Sequence, residues 1–256
     1  MKEKHKSKGT LKVSKKSDVS EISSIKSLHG PVGGLVTTIA RFLDRNILYA
    51  VIRRSSLAAR LRNESRLNIG CGDDLVAGWV NIDFDPAISY GKVTYKEGIL
   101  VLNFDMHDDL VLDNCIDQIY SSHFIEHITF EDAIIFLKKC YGYLRKGGVI
   151  RLSFPDLELW TKKYLQNDKE FLNKYKSIYL SNPNIKTKGE IYMSQVHGYG
   201  HRWSYDYESI EHILRIAGFS KISRKNAHES RIQDIDLVEP YRKGRLMESC
   251  YIEAIK

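Results

Sequence analysis

The strand-like run Leu67-Asn68-Ile69 feeds into Gly70-Cys71-Gly72, a turn whose glycines let backbone N–H groups approach a ligand closely. Several cofactors could use such a turn, and its neighbours narrow the choice. A dinucleotide fingerprint wants a third glycine three residues after the second, but position 75 is Leu. Asp73 and Asp74 also crowd the turn with negative charge, which is hostile to a pyrophosphate. The turn suits a ligand that carries positive charge and no phosphate.

Two histidine-containing segments could add acid–base chemistry. In His123-Phe124-Ile125-Glu126-His127 the ionisable residues fall at i, i+3 and i+4 and share one helical face. His197-Gly198-Tyr199-Gly200-His201-Arg202-Trp203-Ser204-Tyr205-Asp206 gathers two histidines, an arginine and aromatics in a glycine-softened loop, as a recognition loop over a rigid scaffold would. His201 or His197 is a candidate general base for a hydroxyl acceptor, since imidazole titrates nearest neutrality. The competing reading is that Trp203 and Tyr205 dock the loop while the histidines are solvated.

These residues need a frame. Short apolar runs at Arg66–Ile69, Trp79–Asp83, Ile99–Phe104, Ile116–Tyr120, Val149–Phe154, Phe219–Ser223 and Cys250–Ile255 predict seven strands. Between them, Phe130–Leu144 has helical periodicity, with Thr129 and Asp132 as its N-terminal cap and Lys146-Gly147-Gly148 as its stop. Residues 157–182 read as helical, 183–203 as a long loop, and Tyr205–Ala217 as a helix ending at Gly218. The alternation predicts a doubly wound α/β fold with a mostly parallel seven-stranded sheet. Only ten residues separate Gly72 from Asp83, too few for a crossover helix with its loops, so an abbreviated loop is expected there. Residues 157–203 form an aromatic-rich insert.

The chain has 256 residues, 43% hydrophobic and 28% charged, within the range of soluble globular proteins. Its net charge of +7 is uneven: +5 over residues 1–28, +5 over 29–63, and −3 over the rest. A mildly acidic body is a poor nucleic-acid platform, so no nucleic-acid partner is expected. Residues 1–28 read as a disordered basic tail and 29–63 as a basic amphipathic helix, leaving 64–256 as the catalytic-type domain. That helix either packs on the domain or, with the lysine tail, rests peripherally on an anionic membrane. No run is long enough to span a bilayer, and no signal peptide is read. Cys71, Cys115, Cys140 and Cys250 form no CxxC pair, which points to a reducing, cytoplasmic setting.

Taken in order, LNIGCG…GWVNIDFDP, NFDMH, IDQIYSSHFIEHI, LRKGGVIRLSFPDLE and AGF with a closing strand resemble the class I S-adenosylmethionine-dependent methyltransferases, in particular methyltransferase-domain proteins of polysaccharide-synthesis clusters. The resemblance spans residues 66–256 and implies a Rossmann-like fold, an S-adenosylmethionine cofactor and an acceptor substrate. It places Gly70, Cys71 and Gly72 at the methionine end of the cofactor and Asp83 on the ribose hydroxyls. Asp105 would meet the adenine amine with Met106 near the ring, and Ser122 and His123 would face the methyl group. Asp85 competes with Asp83 because of the short spacing; turn capping is the alternative role for Asp83 and Asp105. The run Tyr120-Ser121-Ser122-His123-Phe124 lacks the Asn/Asp-Pro-Pro-aromatic pattern of enzymes that methylate nucleobase amines. Glu126-His127 is similar to the end of the Glu-x-x-Glu-His pattern of magnesium-dependent O-methyltransferases. With His123 in place of the first Glu, a set poor in oxygen ligands results, and no metal is expected. The expected acceptor is a small molecule or a glycan, methylated on oxygen. The alternatives are a membrane-associated lipid or quinone methyltransferase, and a non-catalytic protein with a relic pocket. Oligomeric state is left open.

Overall fold

A computed structural model describes residues 65–84, 93–96, 99–103, 105, 110, 112–239 and 241–256. The basic tail, the amphipathic helix over 29–63, Asp85 and Met106 lie outside the described residues.

Among the described residues eight strands build one sheet: β1 (Arg66–Ile69), β2 (Val80–Asp83), β3 (Val93–Lys96), β4 (Ile99–Asn103), β5 (Ile116–Ser122), β6 (Leu144–Pro155), β7 (Lys221–Lys225) and β8 (Ser249–Ile255). Their order is β3-β4-β2-β1-β5-β6-β8-β7. The run β4-β2-β1-β5-β6 is parallel, and β8 inserts antiparallel between β6 and β7. The seven expected strands are all present. The eighth, β3, pairs antiparallel with β4 at the sheet edge; four residues are too few to show a period.

Strands buried on both faces explain the apolar runs. Leu67, Val80, Ile119, Ile150 and Ile252 have no more than trace exposure, each contributing about 1.5–3 kcal/mol of burial. The first helix among the described residues, α1 (Phe130–Tyr143), buries Ala133, Phe136, Leu137 and Cys140, and Thr129 Oγ1 accepts from Asp132 N at 3.2 Å as its cap. It ends at Tyr143, and Lys146-Gly147-Gly148 lies inside β6, which is longer than expected at its start.

The link from β1 to β2 contains no helix. The buried Asn81 side chain organises it instead: Oδ1 accepts from Val76 N and Asn68 Nδ2, both at 2.9 Å. Its Nδ2 donates to Val76 O and Trp79 O. One amide thus satisfies a buried loop's backbone groups where a helix would have satisfied its own.

The insert holds α2 (Leu157–Leu165), α3 (Lys169–Tyr179) and α4 (Lys188–His197). The last corrects the expected loop over 183–203. Thr187 and Glu190 form a capping box, a signal present in the sequence. The buried Trp160 ring meets Phe171 and Tyr175 edge-on at 4.9 and 4.5 Å, so these aromatics form a core of their own. Helix α5 (Tyr207–Ala217) follows and stops at Gly218, whose φ of 112° only glycine adopts readily. The connection from β7 to β8 carries α6 (Ile235–Val238) and α7 (Lys243–Glu248). Buried Arg151 of β6 anchors it, gripping Glu239 through Nε at 2.8 Å and Nη2 at 2.9 Å, with Glu253 beside it.

Candidate functional site

A cleft of about 560 Å³ opens beyond the carboxyl ends of β1, β2 and β5. The strand order reverses between β1 and β5, the place where open α/β sheets bind ligands. Gly70, Cys71, Gly72, Asp83, Asp105, Ser122 and His123 all line it.

Gly70 sits at φ 69°, and a Cβ there would lie 2.5 Å from the Phe124 ring. The turn is hung on β2 by Gly70 N and Cys71 N, which donate to Ile82 O at 2.8 and 3.1 Å. Asp83 accepts from Gly72 N and, at 2.7 Å, from Phe84 N. It caps the turn and also faces the cleft. Burial and the charge of Asp83 push the Cys71 thiol up to about 12, so it is an inert wall.

His123 ends β5 in a left-handed conformation, φ 51°, which costs a non-glycine residue about 1 kcal/mol or more. Both of its nitrogens are engaged: Nε2 with Ser249 Oγ at 2.7 Å and Nδ1 with Glu126 Oε1 at 3.3 Å. Burial alone would raise the Glu126 carboxyl, but hydrogen bonding and charge from His123 outweigh it and hold the group below its ordinary value. Glu126 therefore stays an anion in an almost fully buried position.

His127, next in the chain, lines the cleft. Glu126, His127 and His201 bring one ligand-type atom each within 4.8 Å of one another, and the His127 and His201 rings meet edge-on at 4.9 Å. His201 Nδ1 meets Gln195 O at 2.6 Å. A carbonyl only accepts, so Nδ1 carries the proton and Nε2 is free. The Glu126 carbonyl accepts from Arg202 N and Trp203 N, stapling the recognition loop to the site.

The two bases expected from the sequence are placed differently. His201 stands behind His127 rather than on the cleft wall, and His197 is exposed at the end of α4. The wall is made by His123, His127 and Arg202. Tyr205 is buried against Phe154, whereas Trp203 touches the Phe130 ring at 5.4 Å but stays 47% exposed, and His201 is half-buried rather than solvated.

Sequence reasoning missed Arg242 and Arg245, at the start of and within α7. Both reach the cleft and pair with Asp74, Arg245 at 2.8 Å. The acidic turn inferred from Asp73-Asp74 is thus partly neutralised by residues about 170 positions away, which no local pattern reveals.

Residues 38–224 match a family described as a methyltransferase domain. No curated protein matches the chain. Solved structures similar in fold include a SAM-dependent methyltransferase from Archaeoglobus fulgidus, 17% identical over 83% of this chain and 94% of that one, with a TM-score of 0.42. A possible histamine N-methyltransferase from Thermotoga maritima is 16% identical over 84% and 96%, TM-score 0.41. Phosphoethanolamine N-methyltransferase 2 of Haemonchus contortus, in complex with S-adenosyl-L-methionine, is 15% identical over 75% and 48%, TM-score 0.42. The family match covers well over half of the chain, and the sheet has the parallel core and inserted antiparallel strand of the class I fold; the chain belongs to the methyltransferase-domain family.

Proposed function

We propose that this protein transfers a methyl group from S-adenosylmethionine to a hydroxyl of a small-molecule or glycan acceptor. The observation that carries the reading is the convergence of Gly70, Gly72, Asp83, Asp105 and Ser122 on one cleft at the strand-order reversal. That set fits the cofactor: an acid for ribose hydroxyls, an acid for the adenine amine, and a glycine turn for the amino-acid tail. When bound, its sulfonium supplies an already activated methyl group.

The chain's own residues do the rest. His127, on the cleft wall, accepts the acceptor's hydroxyl proton on its imidazole. Buried Glu126 steadies the positive charge that results, and His201 positions the pair from behind. The bond formed is oxygen to methyl carbon and the bond broken is sulfur to the same carbon, so positioning supplies much of the rate. The aromatic rings of the insert, a surface on which a sugar could have stacked, are packed on one another, which shifts the balance toward a small molecule.

The test is transfer of labelled methyl from S-adenosylmethionine to lysate fractions split into lipid, polysaccharide and small-molecule pools. Label is expected in the small-molecule or polysaccharide pool. Label in the lipid pool alone, or in none, would overturn this acceptor reading.

A further inference from the structure

Arg242 and Arg245 carry more N–H donors than the Asp74 carboxylate can fill. Arg245 Nη1 donates to Asp74 Oδ2 at 2.8 Å and to Ser122 Oγ at 3.2 Å. Arg242 Nη2 donates to the other oxygen of the same carboxylate. Two guanidinium groups thus share the one Asp74 carboxylate. Each guanidinium has five N–H donors in a planar fork, and most of these find no acceptor among the described residues.

The pair is also held firmly. Gly244, between them, lies against Tyr179, where a Cβ would come within 2.0 Å of the hydroxyl oxygen. The segment before α7 is locked by the buried Arg151–Glu239 contact. Arg245 is only 19% exposed, so solvent does little to satisfy its charge. All of this sits on the cleft wall beside Gly72 and Ser122.

The unfilled guanidinium donors can take one further carboxylate, while Asp73 and Asp74 beside them disfavour a dianion such as phosphate. We infer that Arg242 and Arg245 form a carboxylate subsite that grips the amino-acid tail of the cofactor, with the neighbouring aspartates facing its ammonium. The inference rests on the reading of the cleft as an S-adenosylmethionine site and adds which residues, from the far end of the chain, select its carboxylate. Charge-assisted guanidinium–carboxylate contacts are the strong kind, and losing one weakens binding by about tenfold or more.

The test is calorimetric titration of the full chain with S-adenosylhomocysteine and with S-adenosyl-3-thiopropylamine, which keeps the nucleoside, sulfur and amine but lacks the carboxylate. Wild type should prefer the carboxylate-bearing ligand. Arg245→Ala and Arg242→Ala should bind it about tenfold more weakly while binding of the thiopropylamine is little changed, so that the preference collapses. Arg245→Gln serves the same purpose if the alanine variant does not fold. Equal weakening of both ligands would show a purely structural latch and overturn the inference, as would no change in either. Wild type binding neither ligand would instead remove the cofactor reading itself.

Discussion

Arg245 Nη1 lies 2.8 Å from Asp74 Oδ2, joining residues 171 positions apart at the lip of the glycine turn. Through this contact the last helix before β8 becomes a wall of the site formed by β1. The cleft is therefore closed by both ends of the domain, and substitutions far from the turn should register in ligand affinity.

Gly244→Ala tests this coupling. The added Cβ would collide with Tyr179, and the displaced α7 should lower stability by about 1–3 kcal/mol. S-adenosylhomocysteine affinity should fall with it. Pairing the change with Tyr179→Ala should restore part of the affinity, read by calorimetry; no rescue would argue against the packing account.

Gly70→Ala should abolish ligand binding more than it harms the fold. The new methyl must displace the Phe124 ring and strain a φ of 69°, at a cost of about 1–3 kcal/mol. Titration and thermal melting of the same sample separate the two effects. Unchanged affinity would mean that the turn does not touch the ligand.

His127→Ala should slow methyl transfer roughly 10²- to 10⁴-fold while leaving cofactor affinity in place. His201→Ala, one step removed from the cleft, should slow it less, and exposed His197→Ala should leave it unchanged. Activity should also survive a chelator, since a histidine base needs no metal to take up a proton. Loss of activity on chelation, restored by a divalent ion, would reassign the three residues to a metal.

Two buried groups pull the pH dependence of stability in opposite directions. Burial holds the His201 imidazole below its ordinary 6.5. As pH drops through that value the unfolded chain takes up a proton that the folded one resists, and stability is lost. Glu248 has the opposite sense: burial raises its carboxyl to about 7, against hydrogen bonds from Trp160 and Tyr179 that favour the anion. As pH rises from about 4.5 to 7 the unfolded carboxyl ionises first, and stability is again lost. Glu248→Gln should raise the melting temperature at pH 8 relative to wild type and flatten the loss between pH 4.5 and 7. An unchanged slope would place Glu248 outside this balance.

The sequence exposes what is local and periodic. Seven strands, the Thr129 cap, the Gly218 stop and the helix-free link after Gly72 follow from runs of apolar residues, caps and spacing. Helix α4 was obscured because Gly189 and polar residues blur its period, although Thr187 and Glu190 mark its start. The placement of the histidines was harder. His127 reaches the cleft because β5 ends in the left-handed turn at His123, and His201 falls behind it because Glu126 O ties down the loop. Neither the turn nor the tie has a sequence signature. Asn81 read as one residue of a strand, yet it replaces a crossover helix.

The central claim is that the cleft at Gly70–Gly72 and Asp83 holds S-adenosylmethionine, and calorimetric titration of the full chain with S-adenosylhomocysteine tests it most directly. The account predicts one-to-one binding that Asp83→Ala weakens by about tenfold or more, because that carboxylate would accept from the ribose hydroxyls as well as holding the turn. No binding by the wild-type chain, or equal binding by Asp83→Ala, would contradict it.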